Sequence, residues 1–187
     1  MSSYCILQQD DRVPGQPTVL RAPEGLDPEV LLGGEELDLP EQPVRVAMNP
    51  RSGSFRGDVI DGIVTLFHDA LRDELGRLGV DNVQYLPTEL ENPEGELEGK
   101  YSLVNVVGLV DAVDRDRSRI EPNPGGDGLG TLYEFEIDPE ATRGLKLFRI
   151  VHAPTLVIVS PDVARALIDF APAGAVLKPT SMYDGWE

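Results

Sequence analysis

The chain has 187 residues, with 16 basic and 33 acidic side chains, so its formal net charge is 16 − 33 = −17. A chain of this length suits one domain that buries roughly 70% of its unfolded surface, so folding requires neither a disulfide nor a metal ion. A field of this sign repels nucleic acid and anionic membranes, which excludes both as expected partners. It favours either encounter with a basic protein or solubility alone, and both explanations stay open.

The single cysteine, Cys5, excludes an internal disulfide and fits a reducing compartment. Residues 1–12 have neither the basic segment nor the long apolar core of a signal peptide. No apolar stretch reaches the ~18 residues of a membrane span. We therefore expect a cytoplasmic protein.

The first 57 residues predict an irregular arm packed on a core that spans residues 58–187. Residues 3–8 favour a short strand, and residues 10–43 contain six prolines and four glycines, which disfavour long regular elements. Asp27 and Pro28 predict the start of one helical turn that ends at Gly33. Residues 44–48 alternate as a strand does.

The clearest helical pattern covers residues 58–79, with Asp58 as the expected N-cap and Gly79 as the expected end. Apolar residues recur there at steps of three and four and form one stripe: Ile60, Ile63, Val64, Phe67, Leu71, Leu75 and Leu78. Residues 83–86 then favour a short strand that Pro87 closes. Residues 89–98 contain five glutamates and predict an exposed acidic loop.

A Val-rich run from Tyr101 to Asp114 follows. Nine of its fourteen residues are apolar and five of these are Val, which favours a strand buried on both faces. Asn105 and Gly108 are its only breaks between Leu103 and Val110.

Three further strands are predicted at residues 131–137, 145–151 and 155–159, where apolar residues alternate or run together. Ser160, Pro161 and Asp162 predict the start of a second helix, which ends before Pro172, and residues 175–178 form a last short strand. These elements predict an α+β fold with a mixed or mainly antiparallel sheet and two main helices.

A shift of 92 residues superimposes two stretches of the chain without a gap. Leu71, Leu75 and Leu78 fall on Val163, Leu167 and Phe170; Val83 and Tyr85 fall on Ala175 and Leu177; Pro87 and Thr88 fall on Pro179 and Thr180. The echo indicates either an internal duplication or the ordinary likeness of any two helix–strand segments. The copies differ upstream, where residues 155–159 favour a strand and residues 63–67 keep the helical period.

No motif for catalysis, cofactor binding or metal binding stands out. The Gly-rich piece at residues 125–130 matches neither the dinucleotide-binding nor the Walker pattern and predicts a loop. Residues 114–118 begin like a calcium loop, but Arg119 and Gly125 stand where that loop needs Gly and Glu, so we expect a salt-bridged turn. His68 and His152 lack metal-ligand spacing. We therefore expect no catalytic residue, no cofactor and no metal.

Two groups of residues leave alternatives open. Asp111, Asp114 and Asp116 could act together as carboxylates of an enzyme of unfamiliar type. Tyr183 and Trp186 are either anchors for a partner or part of a tail folded back onto the core.

Three ordered pieces of the chain resemble the eleventh catalogued immunity-protein family of polymorphic toxin systems, formerly a domain of unknown function. They are VDNVQYLPTEL at residues 80–90, YSLVNVVGLVDAVDRDRS at residues 101–118 and LFRIVHAPTLVIVSPDVARAL at residues 147–167. Together they frame the chain from Asp58 onward, whereas residues 1–57 match only loosely. The resemblance implies a small cytoplasmic protein that binds and neutralises a co-encoded toxin without catalysis.

The leading hypothesis is therefore a non-catalytic immunity protein whose acidic surface binds a cognate toxin or effector, with a basic toxin as the matching partner. One alternative is an inhibitor or accessory protein of a self-produced protease or secretion system, and another is the small enzyme. The expected partner-binding residues lie on acidic loops and on the N-terminal arm: Glu91, Glu94, Glu96, Glu98, Asp114, Asp116, Glu35 and Glu36. The sequence does not determine the oligomeric state.

Overall fold

The computed structural model describes residues 3–122 and 130–185, which form two five-stranded sheets, a two-stranded ribbon and two α-helices. In chain order the strands are β1 (Cys5–Gln9), β2 (Val44–Ala47), β3 (Val59–Ile60), β4 (Leu66–His68), β5 (Val83–Glu91), β6 (Leu97–Val106), β7 (Leu109–Val110), β8 (Arg119–Glu121), β9 (Thr131–Tyr133), β10 (Leu147–Ile150), β11 (Ala153–Val159) and β12 (Ala175–Pro179). The helices are α1 (Asp69–Arg77) and α2 (Pro161–Phe170), and 3-10 helices cover Pro28–Leu32 and Thr180–Met182.

The two large sheets are mixed but mainly antiparallel. Sheet I has the order β12-β1-β11-β10-β7, and sheet II has the order β2-β5-β6-β4-β3. Only two neighbouring pairs are parallel, β7 with β10 and β2 with β5. One apolar cluster takes side chains from both sheets and from both helices, so it forms the centre of the molecule. The predicted α+β fold with two main helices is confirmed.

The Val-rich run passes from one sheet into the other. Residues 101–106 are buried as the end of β6 in sheet II, and Leu109 and Val110 form β7 in sheet I. Gly108 lies at the crossing with a φ of +150°, a backbone conformation that favours glycine. The Asn82 side chain donates hydrogen bonds to the carbonyls of Val107 (2.9 Å) and Leu147 (2.8 Å) and so joins the sheets there. The prediction of one continuous strand is therefore wrong at Gly108.

The helix expected over residues 58–79 is wrong in its first half. Val59 and Ile60 pair with β4, and β4 pairs with β6, so these apolar residues lie in sheet II rather than along a helix. Gly62, at a φ of +151°, lies in the loop between β3 and β4. The helix begins only after His68, whose Nδ1 accepts a hydrogen bond from the Ala70 amide (3.2 Å). Sheet pairing with residues distant in sequence has overridden the helical period.

Asp58 is accordingly not a helix cap. Its carboxylate accepts a hydrogen bond from the Ala173 amide (2.7 Å), and its own amide donates to the Ala173 carbonyl (2.7 Å). This pair of bonds ties the start of β3 to the turn that follows α2, so Asp58 connects the two halves of the molecule.

The acidic segment is not a loop, and Pro87 does not close its strand. β5 runs through Pro87 to Glu91, a tight turn follows, and β6 begins at Leu97. Pro87 is tolerated because β2 pairs with β5 only from Thr88 onward, so a proline here removes no hydrogen bond to β2. The predicted strand at residues 131–137 is also shorter, since β9 ends at Tyr133 and Glu134 has a φ of +32°.

Two predictions concern residues near or beyond the limits of the described chain. Tyr183 is 7% exposed, and its ring packs against Phe135 with centroids 5.7 Å apart. The tail is therefore folded onto the core as far as Tyr183. Trp186 and residues 125–129 of the predicted Gly-rich loop lie outside the described residues.

The internal echo corresponds to a repeated pattern of strand pairing. In sheet II, Ser102 of β6 pairs with Phe67 on one side and with Pro87 on the other. In sheet I, Cys5 of β1 pairs with Val159 and with Pro179. Because 67 + 92 = 159 and 87 + 92 = 179, the two registers coincide. β6 in sheet II and β1 in sheet I therefore occupy equivalent positions. The next pair along, Leu103 and Ile6, agrees in the same way.

Each half is therefore a strand, a helix and a second strand parallel to the first, with a third strand between them. The upstream disagreement disappears, because residues 66–68 form β4 just as residues 153–159 form β11. The helix starts coincide too: His68 caps α1 and Ser160 precedes α2. The echoed side chains of both halves meet in the central cluster: Leu71, Leu75, Leu78, Val83 and Tyr85 with Val163, Leu167, Phe170, Ala175 and Leu177.

The first 57 residues contribute to both sheets. β1 lies between β12 and β11 in sheet I, and β2 lies at the edge of sheet II. Between these strands the chain is irregular apart from one 3-10 helix, as its prolines and glycines predict. The division into an arm of residues 1–57 and a core of residues 58–187 stays a prediction.

Candidate functional site

One half of the molecule extends beyond the repeated framework. The shared register ends at the pair Pro87–Ser102, which corresponds to Pro179–Cys5. In the second half the chain then turns into the 3-10 helix Thr180–Met182. In the first half β5 and β6 continue as an antiparallel pair that closes in a turn. We call residues 88–101 the hairpin extension.

The hairpin extension carries a concentrated negative charge. It contains five glutamates and one lysine, a formal charge of 1 − 5 = −4. Arg45 pairs with Glu89 at 3.4 Å, and Arg56 pairs with Glu98 at 2.8 Å. Within the described part of the chain, the other three carboxylates form no ion pair: Glu91, Glu94 and Glu96. The uncompensated charge is therefore at the tip.

Asn92 shapes this tip. Its side-chain oxygen accepts hydrogen bonds from the amides of Glu94 (3.1 Å) and Glu96 (2.8 Å), and its side-chain nitrogen donates to the Glu96 carboxylate (2.9 Å). Gly95 has a φ of +83°, which favours glycine at that position. Asn92 is 8% exposed, whereas Glu94 and Glu96 are exposed. The turn thus presents its glutamates to solvent from a fixed backbone.

An open cavity of about 440 Å³ lies along one edge of the extension, lined by Arg56, His68 and residues 97–101. Tyr101 donates a hydrogen bond to the Gly57 carbonyl (2.9 Å), and burial raises the pKa of its phenol to about 12. His68 Nδ1, which accepts the α1 capping bond, lies 3.6 Å from the Asp58 carboxylate. These groups hold a helix and a strand in place, and none of the described residues that line the cavity is a serine or a cysteine.

The structure places the eight predicted contact residues in three separate regions. Glu91, Glu94, Glu96 and Glu98 share the hairpin extension. Glu35 and Glu36 are exposed, and the Glu35 carbonyl accepts a hydrogen bond from Asn105 (2.8 Å), near the opposite end of β6. Asp114 and Asp116 lie in the turn after β7. These regions do not form one patch along the sheet, so only the four hairpin glutamates are brought together.

Asp114 has a structural role. Its carboxylate accepts hydrogen bonds from the amides of Asp116 (3.1 Å) and Arg117 (3.3 Å), which closes the turn. Ser118 Oγ accepts a hydrogen bond from the Glu136 amide (3.0 Å) and fixes the end of the turn. The resemblance of this segment to a calcium loop thus has a local explanation.

Asp111, the third carboxylate of the enzyme alternative, is bound to Arg115 at 3.0 Å and lies 3.7 Å from His152 Nδ1. The His152 side chain is 1% exposed, and burial lowers the pKa of its imidazole despite the nearby carboxylate. Within the described residues no group of three or more His, Cys, Asp and Glu side chains is arranged to hold a metal ion. The arrangement gives no support to carboxylate chemistry here.

Three buried or half-buried amide side chains were not predicted to matter. Asn105 is fully buried and donates to the Gln84 side chain (2.7 Å) as well as to Glu35. Gln84 in turn exchanges hydrogen bonds with the backbone of Leu37 (2.8 and 3.0 Å), so the pair attaches residues 35–37 to sheet II. Asn105 was visible as a polar break in an apolar run, which is a usable sequence signal. Asn92 gave no such signal within an acidic stretch.

The structure and the family comparison together define the class of protein. The described chain is an α+β domain with an acidic projection and without a recognisable catalytic group. A family model for immunity proteins matches residues 3–181. This chain belongs to that family, the Immunity protein family (Imm11). Membership implies a cognate toxin or effector protein as its partner.

The match begins at residue 3, so it includes the N-terminal region whose resemblance to the family was loose. A search of curated proteins found no match. Neither helix in the described part of the chain combines the length and the apolar character needed to cross a membrane.

Proposed function

We propose that this protein protects a bacterial cell by binding a co-encoded toxin in the cytoplasm and blocking it without catalysis. The hairpin extension is the contact surface in this proposal, and the toxin presents a basic surface to it. The observation that carries the proposal is that Glu91, Glu94 and Glu96, which form no ion pair within the described residues, lie together on a segment that extends beyond the repeated framework.

The physical reason is that the framework provides stability while the hairpin extension provides an exposed surface for binding. The echoed apolar residues of both halves pack in one central cluster, so changes there to suit a partner would disturb the core. The extension is an antiparallel pair whose exposed side chains can vary without disturbing that cluster. A rigid acidic projection also costs little ordering on binding, because Asn92 already holds its turn.

Charge supports a basic partner. The extension contributes −4 within a chain of net charge −17, so opposite potentials would accelerate encounter and align the two proteins. An inhibitor of this kind needs no reactive group, which agrees with the structural roles of Asp114 and His68.

The direct test is co-expression with the product of the neighbouring toxin gene. The proposal expects the protein to restore growth to cells that make the toxin and to co-purify with it. The absence of both rescue and complex would contradict it. The association rate constant should also fall steeply as the salt concentration is raised. Salt shortens the Debye length, so the attraction between the two charged proteins no longer acts at a distance. A rate independent of salt would remove the basic partner from the proposal.

A further inference from the structure

The hairpin extension leaves one side of β6 without a neighbouring strand. β5 accompanies β6 over most of its length, from Val106 to Leu97. On the other side β4 pairs with β6 only from Leu103 to Tyr101, where His68 ends the strand and α1 begins. Within the described residues, no strand continues beside residues 97–100. Backbone N–H and C=O groups at such an edge can pair with a strand from another chain.

The edge is open as well as unpaired. The cavity of about 440 Å³ runs along it, and residues 97–101 form part of its wall. Gly99 is exposed and has nothing within 4 Å of where a Cβ would lie, so another backbone can approach closely. Leu97 is 45% exposed, an apolar side chain between two glutamates. Lys100 is the basic residue of this part of β6, and Arg56, which lines the same cavity, pairs with Glu98 at 2.8 Å.

We propose that residues 97–100 accept an extended segment of the toxin as an added strand beside β6. This inference rests on the proposed function and specifies how the partner binds. Successive side chains of a strand point to opposite faces, so Glu98 and Lys100 share one face of β6 and Leu97 lies on the other. The matching segment therefore alternates polar and apolar residues, and the formal charge of −4 on the hairpin extension favours basic residues among the polar ones. Main-chain hydrogen bonds supply affinity, and the alternating side chains supply specificity.

The charge of the extension favours a toxin segment over a second copy of this chain. An edge-to-edge dimer would bring two hairpin extensions together, each with a formal charge of −4. Like charges placed opposite each other across paired strands are destabilising. A basic segment meets the same carboxylates favourably.

Two glycines provide a matched test by blocking. Gly99 and Gly76 are both exposed, have ordinary backbone angles and leave open space for a side chain, but Gly76 lies on α1. Each is replaced singly, Gly99→Cys and Gly76→Cys, and labelled with a polyethylene glycol maleimide. Cys5, the native cysteine, is 6% exposed and is not labelled in the folded protein. Binding to the purified co-encoded toxin is measured by calorimetry.

The labelled Gly99→Cys protein should lose at least about tenfold in affinity, the equivalent of roughly 1.4 kcal/mol, while labelled Gly76→Cys binds like the unlabelled chain. In hydrogen exchange on the wild-type complex, the amides of residues 97–100 should gain protection. If the complex forms but both labelled proteins bind equally, strand addition is overturned and the proposed function stands. If the label on Gly99→Cys weakens binding but the amides of residues 97–100 gain no protection from exchange, strand addition is also overturned, since the contact is then through side chains. If the wild-type proteins form no complex, the proposed function itself fails.

Discussion

Residues 79 and 171 occupy equivalent positions after the two helices, since 79 + 92 = 171. Both adopt the left-handed backbone conformation, with φ of +74° at Gly79 and +54° at Ala171. Glycine takes this conformation at no steric cost, whereas a residue with a Cβ is strained there. The repeat thus shows a position where one half carries the preferred residue and the other does not.

The substitution Ala171→Gly should raise the free energy of unfolding by about 0.5–1 kcal/mol, because relief of strain outweighs the added flexibility of the unfolded chain. The reciprocal change, Gly79→Ala, should lower it by about 1 kcal/mol or more, since a Cβ there lies 3.1 Å from Lys146 Nζ. Urea denaturation of both variants measures the two values. Equal signs for the two changes would contradict the equivalence of the positions.

His152 is the residue that should make stability depend on pH. Its pKa lies below the ordinary value of 6.5 because burial disfavours the imidazolium; Asp111 opposes this effect and Arg115 adds to it. The unfolded chain therefore binds more protons than the folded chain just below pH 6.5. Stability conferred by the neutral ring is full above that pH and is lost as the pH falls towards the lower folded pKa.

The variant His152→Gln should flatten the decline in unfolding free energy between about pH 6.5 and 5. The change in slope is at most about 1.4 kcal/mol per pH unit, the contribution of one proton. Urea denaturation across that range measures it, and the values at about pH 7.5 report any packing cost separately. A variant whose slope equals that of the wild type would show that another group is responsible.

At the scale of elements, the sequence predicted what depends on neighbours along the chain. Local caps, glycines and apolar patterns predicted five features: the start of α2, the end of α1, the 3-10 helix at residues 28–32, and the strands β2 and β11. β3 and β4 were missed because β4 pairs with β6, more than 30 residues away, and β3 pairs in turn with β4, which no local period records. Their apolar spacing happened to suit a helix as well.

The same limit applies to the candidate site. Composition predicted that the glutamates of residues 89–98 are exposed, and this is so for Glu94 and Glu96. Their placement on two paired strands beyond a repeated framework could not be predicted, because it depends on the register of β5 with β6 and on where β4 ends. The free edge at residues 97–100 was missed for the same reason.

Asn92 should control the order of the hairpin extension. Asn92→Ala removes the acceptor of two backbone amides at the tip and should cost about 1 kcal/mol locally. Hydrogen exchange should become faster at the amides of residues 91–98, because the tip can open locally without global unfolding. Exchange in β10 and β11 should stay unchanged. Unchanged exchange at the tip, or a uniform increase throughout the chain, would contradict this role.

The molecule contains two related units, each of three strands and one helix, and these units differ in how the central strand is connected. In sheet II, β6 pairs with β5 and follows it directly in the chain. In sheet I, the equivalent partner of β12 is β1, which lies at the start of the chain. Cys5 pairs with Pro179, and the Thr180 amide donates to the Tyr4 carbonyl (3.1 Å), so the outer ends of these strands are adjacent. The hairpin extension and this junction therefore occupy equivalent places in the two halves.

A circular permutant should therefore fold. A short Gly/Ser linker would join residue 185 to residue 3, and the chain would be opened between Glu94 and Gly95 at the hairpin tip. The new break lies at an exposed turn, and the linker joins the ends of neighbouring strands. Both changes leave the central cluster intact. A cooperative thermal transition with native-like circular dichroism is the expected result. A permutant that unfolds without cooperativity would show that the two connections are not interchangeable.

The central claim, that the hairpin extension binds the toxin, is tested most directly by two triple variants measured against the co-encoded toxin. One neutralises the tip: Glu91→Gln, Glu94→Gln and Glu96→Gln. The other neutralises three exposed carboxylates elsewhere: Glu35→Gln, Glu36→Gln and Asp116→Asn. Each changes the net charge from −17 to −14, since −17 + 3 = −14, so long-range steering falls alike in both.

The dissociation constant at fixed ionic strength is the deciding measurement. The tip variant should bind at least about tenfold more weakly than the wild type, and the control variant within about threefold of it, because only the tip loses direct contacts. Equal losses in the two variants, or a larger loss in the control, would contradict the assignment of the hairpin extension as the binding surface.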